Sequence, residues 1–140
     1  MKISILLPLK ENFSPTYAGA VSLFINDTLR SSNFKKNITV FGHTNFKKKF
    51  KQKYFNINIK KNFFSSQNKE YVKKFIEIEK KSNSQIIELH NRPIYLKYLV
   101  GDLKKRDYIL YFHNDPLTMS GSKSIKERSF LLDNCYRIVF

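Results

Sequence analysis

One alternation constrains this chain more than any other feature: short apolar runs, each followed by a stretch with helical spacing, from one end to the other. Ile3 to Leu7 is apolar but for Ser4, and Ile38–Phe41, Gln85–Leu89, Tyr108–Phe112 and Tyr136–Phe140 are mainly apolar in the same way. Continuous rather than alternating apolar runs indicate strands covered on both faces, as in parallel sheets. Tyr54 to Ile59 alternates instead, like a short half-buried strand. Between the runs, Val21, Phe24, Ile25, Thr28 and Leu29 fall on one helical face, as do Val72, Phe75 and Ile76 within a helix from about Gln67 to Lys81. Ser65 or Ser66 is the expected cap of that helix. Pro93 suits the first turn of a third helix, with a stripe at Leu96, Leu99, Val100 and Leu103 and a basic end at Lys104-Lys105-Arg106. Ser124 and Glu127 form a capping box that opens a fourth, running to about Asp133.

This β-α-β order predicts an α/β fold with a doubly wound, mainly parallel sheet and helices on both faces. The 140 residues fit one domain, and a hydrophobic fraction of 41% belongs to a folded chain. Residues 43–66 are the hardest to place. The last expected strand is also where the chain stops, which points to a fragment or a truncated gene.

The single cysteine, Cys135, excludes an internal disulfide and suggests a reducing compartment. No apolar run approaches the roughly 20 residues needed to cross a bilayer. Lys10-Glu11 cuts short the apolar start, so it reads as a first strand rather than a signal peptide, and the protein as cytoplasmic. A formal charge of +15 favours anionic partners such as nucleic acid, acidic lipid or phosphorylated substrates. The richness in Lys, Asn, Ile, Phe and Tyr is equally what AT-rich codons produce.

Ligands of open α/β sheets bind outside the carboxyl ends of the strands. All three histidines are expected there: His43, His90 and His113 each follow a strand. Tyr17-Ala18-Gly19-Ala20 opens the first helix on the same edge, where Gly19 allows a phosphate to approach backbone N–H groups or simply eases helix packing. The full dinucleotide fingerprint of three spaced glycines is missing. His90-Asn91-Arg92-Pro93 supplies a hydrogen-bonder, an amide and a guanidinium; Arg92 is either an anion clamp or a solvated cation. His113-Asn114-Asp115-Pro116 places an imidazole and a carboxylate two residues apart, fit for proton transfer or hydroxyl recognition, although Asp before Pro is also an ordinary turn. The closely spaced ligand pairs common in zinc sites are absent, so a metal triad is the weaker reading of the three histidines.

As a set, Lys2-Ile-Ser-Ile-Leu-Leu-Pro8, Tyr17-Ala-Gly-Ala20, His90-Asn-Arg-Pro93, Phe112-His-Asn-Asp-Pro116 with Ser122 to Arg128, and Cys135-Tyr-Arg-Ile-Val-Phe140 resemble the N-terminal domain of family-4 glycosyltransferases over essentially the whole chain. The resemblance implies a Rossmann-like half of a GT-B enzyme, which transfers a sugar with retained configuration and generally needs no metal or other cofactor. By position it implies that Gly19, with Tyr17, lies near the donor phosphates. It places His113 near the transferred sugar and His90, Asn91 and Arg92 along the cleft, while the strand-edge reading adds His43 and Asn114 as binding candidates and Asp115 as a catalytic one. The expected partners are a nucleotide sugar and a cell-envelope glycan or lipid-linked acceptor, not nucleic acid. Two departures stand out. Ala18-Gly19 replaces a glycine pair, and the family's paired glutamates lie in a second domain beyond this chain, without which transfer is not expected.

The lysine-rich segment 47–61, with Phe46, Phe50, Tyr54 and Phe55 in or beside it, is read as a surface for anionic membrane or as a solvated flap. Two rival readings remain: a small basic nucleic-acid-binding protein using that segment, and a non-catalytic remnant domain.

Overall fold

The computed structural model describes residues 1–59 and 66–140. The apolar runs form β1 (Ile3–Leu6), β2 (Ile38–Gly42), β3 (Tyr54–Asn56), β4 (Ile86–His90), β5 (Asp107–Tyr111) and β6 (Arg137–Val139). The helical stretches form α1 (Ala20–Ser31), α2 (Gln67–Ser82), α3 (Ile94–Leu99) and α4 (Ile125–Asn134). The strands build one sheet in the order β3-β2-β1-β4-β5-β6, and every pair is parallel. This is a Rossmann-like arrangement, as the alternation predicts. Register is level across the centre, with Leu6 facing Phe41 on one side and Leu89 on the other, so the central strands end together.

Helices cover the two faces unequally. α1 lays Val21, Ile25 and Leu29 on Ile3, Ile5, Leu7, Ile38 and Val40. On the opposite face α2, α3 and α4 set Val72, Phe75, Leu96, Leu99 and Leu131 against Leu6, Phe41, Ile87, Leu89 and Leu110. Each such side chain, fully buried, contributes about 1.5–3 kcal/mol. By register, Glu88 and His90 on β4, Ile109 and Tyr111 on β5, and Arg137 and Val139 on β6 lie on the part of the α1 face beyond that helix.

Three local readings need correction. α1 is turned so that Ser22 and Asn26 are buried while Phe24 and Thr28, expected inward, are exposed. Phe24 leans over the uncovered part of the sheet instead. α3 ends at Leu99, just before Val100-Gly101, so Lys104, Lys105 and Arg106 follow the helix rather than finishing it. Leu103 is nevertheless buried. Of the two expected caps of α2, Ser66 stands at the N-cap without a side-chain bond, and Ser65 lies outside the described residues.

At the amino ends of the strands a carboxylate is buried. Glu79 lies on the inward stripe of α2, four residues after Phe75, and is wholly shielded from solvent. Its Oε2 accepts from Ser4 Oγ at 2.6 Å and Ser82 Oγ at 3.0 Å, and its Oε1 accepts from the Ser84 amide at 2.7 Å. Arg106 Nε stands 4.0 Å from Oε1. The cluster ties β1, α2 and the turn into β4 together.

Gly121 has φ of 97°, where a side chain is strained, and a Cβ there would stand 2.5 Å from Ile94 N. The glycine therefore lets the loop before α4 press onto the start of α3. Ser124 Oγ accepts from the Glu127 amide while the Glu127 carboxylate accepts from Ser124, forming the expected capping box.

Two stability predictions follow from this packing. Glu79→Ala leaves the Ser84 amide without its acceptor, takes one bond from each of Ser4 and Ser82, removes the ion pair with Arg106, and should lower stability by about 3 kcal/mol in urea unfolding. Gly121→Ala should cost about 2 kcal/mol or more in the same measurement.

Candidate functional site

Parallel pairing carries the loops after β1, β2, β4 and β5 to one edge, and each sequence-selected residue stands on that edge. They divide into separate environments there.

The tightest grouping is an imidazole pair. His90, the last residue of β4, is buried rather than following the strand as expected, and its ring lies flat on Tyr111 with centroids 4.7 Å apart and planes at 5°. His113, two residues beyond β5, extends the stack at 5.2 Å and 17° from His90, and Phe24 meets it edge-on at 5.0 Å. The rings are also bonded, with 2.9 Å between His90 Nδ1 and His113 Nε2. Asn91 fixes this geometry. It adopts a left-handed backbone (φ 51°), which asparagine tolerates, donates its amide to Tyr111 O and accepts from the His113 amide at 2.7 Å.

Beside the pair, Asn91, Arg92 and Asn114 line a recess of about 490 Å³ together with Lys10, Asn68 and an apolar floor that includes Ile94 and Met119. Its wall is held from below. The buried Tyr95 hydroxyl accepts from the Leu9 amide and donates to Asn68 Oδ1, each at 3.1 Å, and burial raises its pKa. Arg92 Nη1 donates to Asn91 O at 2.8 Å. His43 lines a neighbouring recess that shares Leu9 and Lys10, and its Nδ1 lies 2.8 Å from Ile57 O.

Two candidates are otherwise engaged. Asp115 accepts from the Leu117 amide at 2.9 Å, capping the short turn Pro116–Thr118, and no hydrogen bond joins it to His113. Gly19 caps α1, but the helix's Ser22 amide donates to Glu11 Oε1 at 2.8 Å. A Cβ on Gly19 would collide with that Glu11 carboxylate. An internal anion thus occupies the place expected for a phosphate. Tyr17, also left-handed at φ 54°, is exposed and tilts against Phe46 at 5.8 Å.

Of the aromatics in the lysine-rich segment, Phe50 and Tyr54 pack on the buried Phe13. Phe55 is exposed, and Lys60 and Lys61 lie outside the described residues. Cys135 is partly buried, and burial pushes its thiol up to about 11, away from the reactive thiolate. Among the described residues, no three His, Cys, Asp or Glu side chains are placed to hold a metal ion, and no helix is long and apolar enough to cross a membrane.

No protein-family model matches the chain, and no curated protein does so either.

Glu11 and the loop it holds are what sequence reading missed here. An acid eight residues before the N-cap carries no local capping signature.

Burial, and then the neighbouring His90, lower the His113 pKa below the ordinary 6.5, while Glu11 opposes them. The unfolded chain therefore takes up this proton first as pH falls. Stability is complete above about pH 6.5 and declines as pH drops through the folded-state pKa. Urea midpoints should fall on acidification, and His113→Gln should flatten that slope.

Proposed function

We propose that this domain is the acceptor-side part of a retaining GT-B glycosyltransferase, which moves a sugar from a nucleotide sugar to a cell-envelope glycan or lipid-linked acceptor. The carrying observation is the recess of about 490 Å³ at the strand tips, where Asn68, Asn91, Arg92 and Asn114 stand over an apolar floor. A pyranose needs that combination: amides and a guanidinium for its hydroxyls, apolar surface for its C–H faces. The volume suits one or two sugar rings. Lys10 and Arg92 are the charged groups of the lining, so an acceptor bearing phosphate or carboxylate is favoured.

In this reading the domain contributes positioning: it holds the acceptor hydroxyl where a facing nucleotide-binding domain presents the sugar carbon. His113, next in sequence to the lining residue Asn114, contacts the sugar in this reading. Exposed lysines of residues 47–53 would rest the protein on anionic lipid at the inner face of the membrane, consistent with cytoplasmic residence.

The charge of +15 favours a second reading, binding of nucleic acid. Against it, Phe50 and Tyr54 are committed to the core and offer no platform for stacked bases.

Protein-observed ¹H–¹⁵N shift mapping of the labelled chain with phosphorylated and neutral oligosaccharides tests the choice. Binding should localise to Asn91, Arg92 and Asn114, and Arg92→Gln should weaken it about tenfold, or 1.4 kcal/mol. Absence of saccharide binding, alongside oligonucleotide affinity that falls steeply with salt, would overturn the proposal.

A further inference from the structure

His90 raises a hydrogen-bonding question that its neighbours answer. Its ring is almost wholly buried, with 1% of the side chain exposed, and Nδ1 is taken by His113. Nε2 is buried without a hydrogen-bond partner, and Glu88 Oε2 stands 3.8 Å from it. Glu88 precedes His90 by two residues on β4 and so points to the same face of the sheet.

The single proton between the two rings can sit in two ways. If His90 Nδ1 holds it and donates, His90 Nε2 becomes a bare lone pair buried against a carboxylate, acceptor facing acceptor, which is the costly arrangement. If His113 Nε2 donates, His90 carries its own proton on Nε2, and that N–H points toward the Glu88 carboxylate. Attraction replaces repulsion. The second arrangement leaves His113 Nδ1 bare.

We propose that Glu88 is a positioning residue that sets both tautomers through His90, making His113 Nδ1 a dedicated hydrogen-bond acceptor at the sheet edge. The group that docks there is accordingly a donor, such as a ligand hydroxyl, rather than a phosphoryl or carboxylate oxygen. Naming that donor a sugar hydroxyl rests on the sugar-transfer reading; the tautomers do not.

The other groups around the stack are consistent with this. Tyr111 lies against His90, and burial raises its pKa, so it stays neutral. Glu88 adds to that rise, while Arg137 of β6 opposes it. Glu11 approaches from the loop after β1 and favours positive charge on His113, but burial and His90 outweigh it, keeping the ring neutral and its Nδ1 lone pair free. A neutral imidazole that donates from Nε2 can only accept at Nδ1.

Long-range ¹H–¹⁵N correlation spectra of the labelled chain at neutral pH report which ring nitrogen is protonated. Both His90 and His113 should show the Nε2–H pattern with at least about tenfold preference. A proton on His113 Nδ1 would overturn the proposal. Glu88→Leu should shift both rings toward mixed tautomers while His43 keeps its pattern, and Glu88→Gln should give a smaller shift. Histidine spectra indifferent to both substitutions would remove Glu88 from the role. Methyl glucoside should then perturb His113 Nδ1 more than inorganic phosphate does, and the reverse order would refute the donor preference. The expected tautomers with no response to methyl glucoside would leave the relay standing and count against the sugar-transfer reading alone.

Discussion

All six strands run the same way, and their hydrogen bonds hold them level, so the chain must leave each strand at the same edge. That single direction is why residues far apart in sequence meet there. His90 and His113 lie 23 positions apart, yet bond at 2.9 Å because β4 and β5 are neighbours in register. The opposite edge carries no such gathering of histidines. Its buried polar group, Glu79, is consumed by Ser4, Ser82, Ser84 and Arg106, and it fastens the sheet rather than offering chemistry. The buried carboxylate at one end of the strands thus serves packing, while the histidines gather at the other.

Uneven cover of the sheet explains why the imidazole pair forms where it does. α1 protects β1 and β2, but toward Glu88 and His90 of β4 and Tyr111 of β5 it presents only the flank that carries Phe24 and Thr28, across a groove. Buried polar groups are tolerable only with partners, so Glu88 and His90 would be expensive beneath a fully packed helix. Here a shallow apolar groove of about 160 Å³ runs past them, Glu88 keeps some contact with solvent, and His90 passes its hydrogen bond outward to the exposed His113. Tyr111 and Phe24 confine the two rings without competing for their nitrogens.

What was legible in the sequence depended on period. The apolar runs announced the strands, and the 3.6-residue stripe of α2 placed Val72, Phe75 and Ile76 correctly. The same stripe continues to Glu79, but a carboxylate at an inward position reads as exposed until its partners from β1 and the β4 turn are known. α1 misled for the complementary reason: Phe24 is as apolar as Ile25, and nothing local says that only half of the sheet lies beneath the helix. The capping box of α4 was readable because its two partners are three residues apart. At the edge, parallel topology placed every candidate residue, yet it could not distinguish Asp115, spent on its own turn, from Asn91, which holds His113. Those assignments depend on side-chain direction, which spacing does not encode.

Glu11 shows how such a local bond reaches into the site. Its carboxylate satisfies the first turn of α1, the task an N-cap oxygen usually performs and the place a phosphate favours. The same charge is felt by His113, where it works against burial. An anion arriving at α1 must displace Glu11 to reach those amides, and it brings negative charge to the spot that Glu11 leaves. A ligand carrying no charge would leave Glu11 in place and meet an edge whose hydrogen-bonding directions are already set. The loop after β1 therefore links the first turn of α1 to the charge around His113, and that link is a single carboxylate reaching a helix terminus.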